Sequence, residues 1–211
     1  MNFIYRQLQS FTMADEPTFV DNLHVAQRAR ELPGCIVECG VWKGGMMAGL
    51  ASFFGDRLCY LFDTFNGIPL AQPIDGEAAL AWQKDTRSPL YYNNHAVSPD
   101  YARRAMTMVG AERFHIVQGL FEETLPTFEP AEPIALLHLD ADWYQSTYVC
   151  LTHLFDRVQA GGVIIIDDYY VWDGCSRAVH DFLSDRKSTD RLRSYQDRLC
   201  YIVKGGLPPN G

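Results

Sequence analysis

A chain of 211 residues is long enough for one sizeable hydrophobic core, and no Pro/Ser-rich linker or shift of composition divides it, so a single domain over 1–211 is expected. Lys and Arg number 18 against 26 Asp and Glu, a formal net charge of −8, and no basic face is evident, which excludes nucleic acid as a partner. The apolar runs are too short and too often broken by charge to span a bilayer, and residues 1–10 lack a signal-peptide core; no membrane partner and a cytoplasmic location are therefore expected. The six cysteines (Cys35, Cys39, Cys59, Cys150, Cys175, Cys200) form no C-x-x-C pair and three lie inside apolar runs, which points to buried, reduced thiols.

In chain order, residues 16–32 read as a helix, with Phe19, Val20, Leu23, Ala26 and Ala29 spaced by three and four. Pro33-Gly34 ends it, and residues 1–32 are expected to form an N-terminal helical lid. A strand over Cys35–Val41 leads through a glycine-bearing turn, Trp42–Gly45, into a helix from about Met46 to Phe54, followed by a second strand, Leu58–Phe65. Residues 66–97 carry Pro, Gly, Asn and several aromatics, including Trp82, Tyr91 and Tyr92, with little periodicity; a loop that long is expected to bind substrate. Ser98-Pro99-Asp100 supplies an N-cap, a first-turn proline and an early acid for a helix to about Val109. Phe114–Gln118 is a third strand and a fourth ends at Asp140. Ser146 is expected to cap the next helix, and Ala160-Gly161-Gly162 to turn the chain into a fifth strand. A helix over about Ser176–Asp185 and a closing hairpin, Leu192–Gln196 with Leu199–Lys204, complete an α/β alternation that implies a mostly parallel sheet.

The chemistry concentrates where apolar runs end in acids. Ile134-Ala-Leu-Leu-His-Leu-Asp140-Ala-Asp142 and Gly162-Val-Ile-Ile-Ile-Asp167-Asp168 read as strands buried on both faces, with carboxylates at the carboxyl ends, where open α/β sheets bind ligands. If the two strands are neighbours, four like charges meet at one mouth and need a cation, and hard oxygen ligands suit Mg²⁺, Mn²⁺ or Ca²⁺. The first strand carries Glu38 and runs into glycines at its turn, a backbone that a ligand can approach closely; the plainer reading is a tight turn with a solvated Glu. The second strand ends in Asp63, where α/β nucleotide sites bind ribose hydroxyls. His138 shares a face with Asp140 and reads as a hydrogen-bonded core histidine rather than a base. Trp143, Tyr144, Tyr169, Tyr170 and Trp172 follow the carboxylates; some would stack on a sugar face and the rest would pack.

Glu38-Cys39-Gly40-Val41-Trp42-Lys43-Gly44-Gly45, Asp63-Thr64-Phe65-Asn66-Gly67-Ile68-Pro69, Gly119-Leu120-Phe121-Glu122-Glu123-Thr124-Leu125-Pro126, His138-Leu139-Asp140-Ala141-Asp142-Trp143-Tyr144, and Gly161-Gly162 with Asp167-Asp168-Tyr169 closely resemble, in the same order, the macrocin O-methyltransferase family. The resemblance covers about residues 33–185 and is weakest before residue 33 and in 70–97, segments that shape the acceptor pocket in relatives. It implies a class I methyltransferase (Rossmann-like) fold, a mostly parallel seven-stranded sheet with helices on both faces. It also implies S-adenosylmethionine and Mg²⁺ (or Mn²⁺) as cofactors and methylation of a sugar hydroxyl on a glycosylated natural product. On this resemblance Glu38, Gly40 and the adjoining Val41 border the cofactor's methionine moiety, Asp63 with Thr64 holds its ribose, and Gln118, Gly119 and Phe121 lie near its adenine. Asp140, Asp167 and Asp168 match metal ligands, Asp140 also bordering the cofactor, and Asp142 matches a proposed general base, with Asp140 as second catalytic carboxylate. Two rivals stand: a metal-dependent O-methyltransferase of a catechol-type molecule, and a non-catalytic nucleotide-binding α/β protein. A small-molecule glycoside is the expected partner, and homo-oligomerisation is left open.

Overall fold

A computed structural model describes residues 1–88 and 91–205. Pro89 and Leu90 of the expected substrate loop, and 206–211 of the expected domain, lie outside the described residues. The chain runs α1 (Asn2–Leu8), α2 (Glu16–Ala26), β1 (Cys35–Cys39), α3 (Gly45–Phe54), β2 (Cys59–Asp63), α4 (Glu77–Lys84), α5 (Asp100–Met108) and β3 (Phe114–Gln118). It continues through α6 (Phe121–Thr124), β4 (Ile134–Leu139), α7 (Tyr144–Leu154), β5 (Val158–Ile166), α8 (Asp173–Asp185), β6 (Leu192–Tyr195) and β7 (Leu199–Val203). The strands form one seven-stranded sheet in the order β3-β2-β1-β4-β5-β7-β6, parallel except for β7, which runs antiparallel between β5 and β6. Strand order reverses between β1 and β4, and that reversal opens a crevice at the strands' carboxyl ends.

The strand alternation sorts the core into two layers. Ile36, Leu61, Leu136, Val163 and Ile165 pack against α1, α2, α3 and α5, whereas Val37, Phe62, Leu137, Ile164 and Ile166 pack against α7 and α8. β1 and β4 are buried along their whole length, as expected of central parallel strands. Helix α2 is capped by Asp15, whose Oδ1 accepts the Thr18 N–H at 2.9 Å, and its rotation is fixed by the buried Phe19 and Leu23. Among the described residues no helix is long and apolar enough to cross a membrane.

The structure departs from the sequence reading at several places. Helix α1 falls in the expected helical N-terminal segment but ahead of the helix that the periodicity predicts; its one fully buried side chain, Leu8, joins the core of the α2 and α3 layer. The 66–97 segment is not a bare loop: it holds a 3₁₀ turn at Pro73–Asp75, helix α4, and a 3₁₀ turn at Tyr92–His95. Ser146 does not cap α7. That helix starts two residues earlier, and its Tyr144 N–H is taken by Asp75 Oδ1 at 2.7 Å, a cap supplied from across the fold. Strand β5 begins at Val158, before the glycines, which lie inside it and pair with Lys204 beyond the end of β7. Helix α8 begins at Asp173, three residues before the expected start.

Candidate active site

The β1–α3 turn is built by its neighbours as much as by its own glycines. Gly40 sits at φ +88, and a Cβ there would lie 1.7 Å from the Asp140 carbonyl oxygen, so the close approach of the β1 and β4 exits admits only glycine. Asp63, at the tip of β2, accepts the Val41 and Trp42 N–H groups on Oδ2 at 2.7 and 2.8 Å and the Phe65 N–H on Oδ1 at 2.6 Å. Three of its four lone-pair directions thus hold backbone, and its first role is to shape the turn. Trp42, Phe65 and Asp142 all take left-handed backbone, with φ of 48, 55 and 56. Each costs about 1–3 kcal/mol, and such strain gathers where a site must hold one geometry.

The carboxylates divide differently from the sequence expectation. Carboxylate oxygens of Asp140, Asp142 and Asp168 lie within 4.8 Å of one another. Asp168 Oδ2 accepts the Asp142 N–H at 2.9 Å, and Trp172 Nε1 donates to Asp142 Oδ1 at 3.2 Å. Asp167, just past the end of β5, shares the crevice wall but is bonded toward α2. Its Oδ1 accepts the Asn22 amide N–H at 3.0 Å and lies 3.9 Å from His138 Nε2. Ile165 and Ile166 face opposite layers, and the two acids part the same way, Asp167 toward α2 and Asp168 toward the crevice. Of the expected ligands Asp140, Asp167 and Asp168, the structure thus sets Asp140 and Asp168 together with Asp142, and bonds Asp167 to Asn22.

Burial, and then the neighbouring carboxylates, hold Asp140 and Asp142 well above the usual carboxylate range. Burial, and then Asp167, pushes Asp168 up to about 7. Three oxygen donors that resist ionising side by side suit a hard divalent cation such as Mg²⁺ or Mn²⁺. On the α2 side, Glu38 is also raised, chiefly by burial. Burial alone would lower His138, but its contact with Glu38 and the nearby acids raises it.

A cavity of about 320 Å³ opens over these groups. Glu38, Gly40, Val41, Asp63, Thr64, Phe121, Asp140, Asp142, Asp167 and Asp168 all line it. Gln118 and Gly119 do not: Gln118 is exposed, its Nε2 donating to the Thr64 carbonyl at 3.2 Å, and the chain reaches the cavity only at Leu120–Glu122. Of the five aromatics after the carboxylates only Trp172 reaches the wall. Trp143 backs it, 5.3 Å from Trp172 between ring centres, while the Tyr144 and Tyr169 hydroxyls bond to Asp181 and His180 on α8. The wall also holds Phe11–Ala14, in the expected lid segment, and His95, in the expected substrate loop, residues the sequence reading did not name as site residues. Trp82 stands 6.1 Å from Trp172 and 5.4 Å from His95, closing an aromatic side opposite the turn; its place in a long aromatic-bearing segment was the one available signal. Among the described residues the wall carries carboxylates and no Lys or Arg.

The model of the macrocin-O-methyltransferase (TylF) family matches residues 9–203. Demethyldecarbamoylnovobiocin O-methyltransferase of Streptomyces niveus is 35% identical over 170 residues, 76% of this chain and 62% of that protein. Mycinamicin III 3''-O-methyltransferase of Micromonospora griseorubida is 31% identical over 170 residues, 76% of this chain and 65% of that protein. The chain thus spans less than two thirds of the length of these curated relatives. The solved structure of the O-methyltransferase NovP superposes with a TM-score of 0.74 at 28% identity, covering 92% of this chain and 82% of that one. The architecture is the class I methyltransferase fold, and the chain belongs to the macrocin-O-methyltransferase family.

Proposed function

We propose that the chain is an S-adenosylmethionine-dependent, divalent-metal-dependent O-methyltransferase acting on a sugar hydroxyl of a glycosylated natural product. The observation that carries this reading is the meeting of the Asp140, Asp142 and Asp168 carboxylates with the Gly40 turn in one cavity at the sheet's switch point. Relatives named as O-methyltransferases of mycinamicin III and demethyldecarbamoylnovobiocin support the reaction class and the kind of acceptor.

In this reading the cofactor lies along the β1–α3 turn, with Glu38, Val41 and Thr64 on its wall and Leu120–Glu122 beyond. Asp63 serves it by holding the turn. Asp140 and Asp168 would hold the ion, with Asp167 beside Asp168 at the end of β5. A divalent ion there would orient the acceptor hydroxyl and lower its pKa. Asp142, fixed by the Trp172 N–H, would take the acceptor's proton; bound S-adenosylmethionine would supply the methyl group, the S–CH₃ electron pair staying on the sulfur of the departing S-adenosylhomocysteine, and proximity in the cavity would supply much of the remaining acceleration. Residues Phe11–Ala14 form the N-terminal lid over this space.

The absence of Lys and Arg from the described wall bears on the acceptor. Apart from the proposed divalent ion, the diphosphate of a nucleotide-linked sugar would find carboxylates in place of cationic side chains, whereas a neutral or cationic glycoside meets no such cost. The rim is apolar: Met13 and Val171 line the mouth at 46% and 59% exposure, a surface suited to an apolar scaffold outside the sugar pocket. A catechol-type diol would chelate a divalent ion in the same way, and one screen separates the two acceptors. Glycosylated natural products, nucleotide-linked sugars and simple catechols are incubated with S-adenosylmethionine, and release of the demethylated cofactor is measured with and without chelator. Turnover of glycosides, abolished by chelator, is expected; turnover of catechols alone, or none with any acceptor, overturns the reading.

A further inference from the structure

The cavity accounts for one side of the site; behind it lies a buried polar chain that starts in the N-terminal layer. Asn22, on α2, and His138, on β4, are fully buried, and Glu38, on β1, is 1% exposed. Glu38 and His138 are register partners on adjacent parallel strands, which sets them side by side, with His138 Nδ1 3.2 Å from Glu38 Oε1. Asn22 completes the chain. Its Nδ2 donates to the Thr18 carbonyl at 3.1 Å and to Asp167 Oδ1 at 3.0 Å, and its Oδ1 lies 3.1 Å from His138 Nε2.

Those contacts determine where the protons are. Thr18 O and Asp167 Oδ1 are acceptors, so the Asn22 amide has one workable orientation, NH₂ toward them and carbonyl toward His138. His138 Nε2 must then carry a hydrogen. Nδ1 stands 3.2 Å from Glu38 Oε1, within ion-pair range. Both that nitrogen and the other Glu38 oxygen, Oε2, are buried without a hydrogen-bond partner among the described residues, so Asn22 is what fixes the ring beside a glutamate that lines the cavity.

We propose that Asn22 is a positioning residue for both ends of the site. It fixes the His138 ring beside Glu38, on the wall assigned to the cofactor, and its second N–H fixes the Asp167 carboxylate at the end of β5. Helix α2 is thus tied to the chemistry by hydrogen bonds as well as by Phe19 and Leu23. The inference rests on the cofactor reading above for its functional half only.

The test is Asn22→Leu, close in volume and without hydrogen-bonding groups. Nitrogen-15 NMR of the histidine rings should show His138 with a protonated Nε2 in the parent protein and a changed tautomer signature in the variant; this readout needs no cofactor. Calorimetric affinity for S-adenosylhomocysteine should fall about tenfold in folded variant, the scale of losing a hydrogen bond that holds a charged group. If Asn22→Leu fails to fold, Asn22→Ser, which is too short to reach both partners, is read in the same way. A folded variant with lowered melting temperature but unchanged His138 signature and unchanged affinity reduces Asn22 to packing and overturns the proposal. A parent protein that does not bind S-adenosylhomocysteine overturns the cofactor reading instead, and leaves the NMR result to judge Asn22.

Discussion

Replacing Asp63 by Ala removes the acceptor for three backbone N–H groups at once, those of Val41, Trp42 and Phe65. Hydrogen bonds to a charged group contribute about 1.5–3 kcal/mol each. Asp63 lines the cavity and is only half-buried, so water can reach part of the freed turn, and the two left-handed residues it holds, Trp42 and Phe65, can relax. We therefore expect a net loss of about 2–4 kcal/mol rather than the full sum. For a chain of this size each kcal/mol lowers the melting temperature by about 2–4 °C, so calorimetry should find a drop of about 4–16 °C. Asp63→Asn keeps one carbonyl acceptor and should fall between parent and Ala. Cofactor affinity should follow the same order, because the turn that Asp63 shapes is the turn proposed to hold the cofactor. An Asp63→Ala protein that melts within about a degree of the parent would show that the turn stands by itself and would refute the reasoning.

Asp142→Asn, which keeps the shape and removes the basicity, should lower kcat by about 10²–10⁴-fold with metal affinity intact; if activity returns at high Mg²⁺, Asp142 is a ligand and the base lies elsewhere. Gly40→Ala would set a methyl group against the Asp140 carbonyl and force the β1 and β4 exits apart; it should destabilise the fold and abolish cofactor binding, and an Ala variant with parental melting and affinity counts against the structure there. The raised Asp140, Asp142 and Asp168 make the chelated protein lose stability as pH rises: each acid binds its proton more tightly folded than unfolded, so for Asp168 the loss runs from about pH 4, the unfolded value, to about 7, and added Mg²⁺ should reverse it; a melting temperature flat across that window contradicts the clustering. All six cysteines are free and buried, with Cys35, Cys59 and Cys200 pushed up to about 12 by burial, so the native protein should resist a thiol reagent at pH 8 until unfolded; rapid titration of several thiols would disprove their burial.

The sheet was legible because its strands are apolar and short and their ends are marked by acids. Cys35–Cys39, Cys59–Asp63, Phe114–Gln118 and Ile134–Leu139 all fall within the expected runs. What stayed hidden depends on partners far along the chain. Nothing local marks Tyr144 as a helix start, since its cap is a carboxylate 69 residues away, and Ser146 was the nearest residue of capping type. The parting of Asp167 from Asp168 needed Asn22, which the sequence places on a helix but not against β5. The aromatic wall followed the same rule. Trp172 was legible beside the acids, whereas Trp82 and His95 reach it only because the 66–97 segment folds back over the crevice.

Asp75 ties that segment to the sheet in a way that constrains any exchange of acceptor pockets between relatives. It is 2% exposed, its Oδ2 accepts the Gln72 N–H at 2.7 Å while Oδ1 caps α7, and a Cβ on Gly174 of α8 would come within 2.4 Å of it. Nearby, the Trp143 indole donates to the Pro69 carbonyl at 2.8 Å. The wall that would select the acceptor is thus latched onto the helix that follows the Asp140 and Asp142 strand. A graft of residues 66–88 from another family member that omits the Asp75 carboxylate, or meets a side chain in place of Gly174, uncaps α7 directly behind the carboxylates. Chimeras designed to change acceptor choice must carry the latch together with the loop, or they will lose turnover for reasons unrelated to the new pocket.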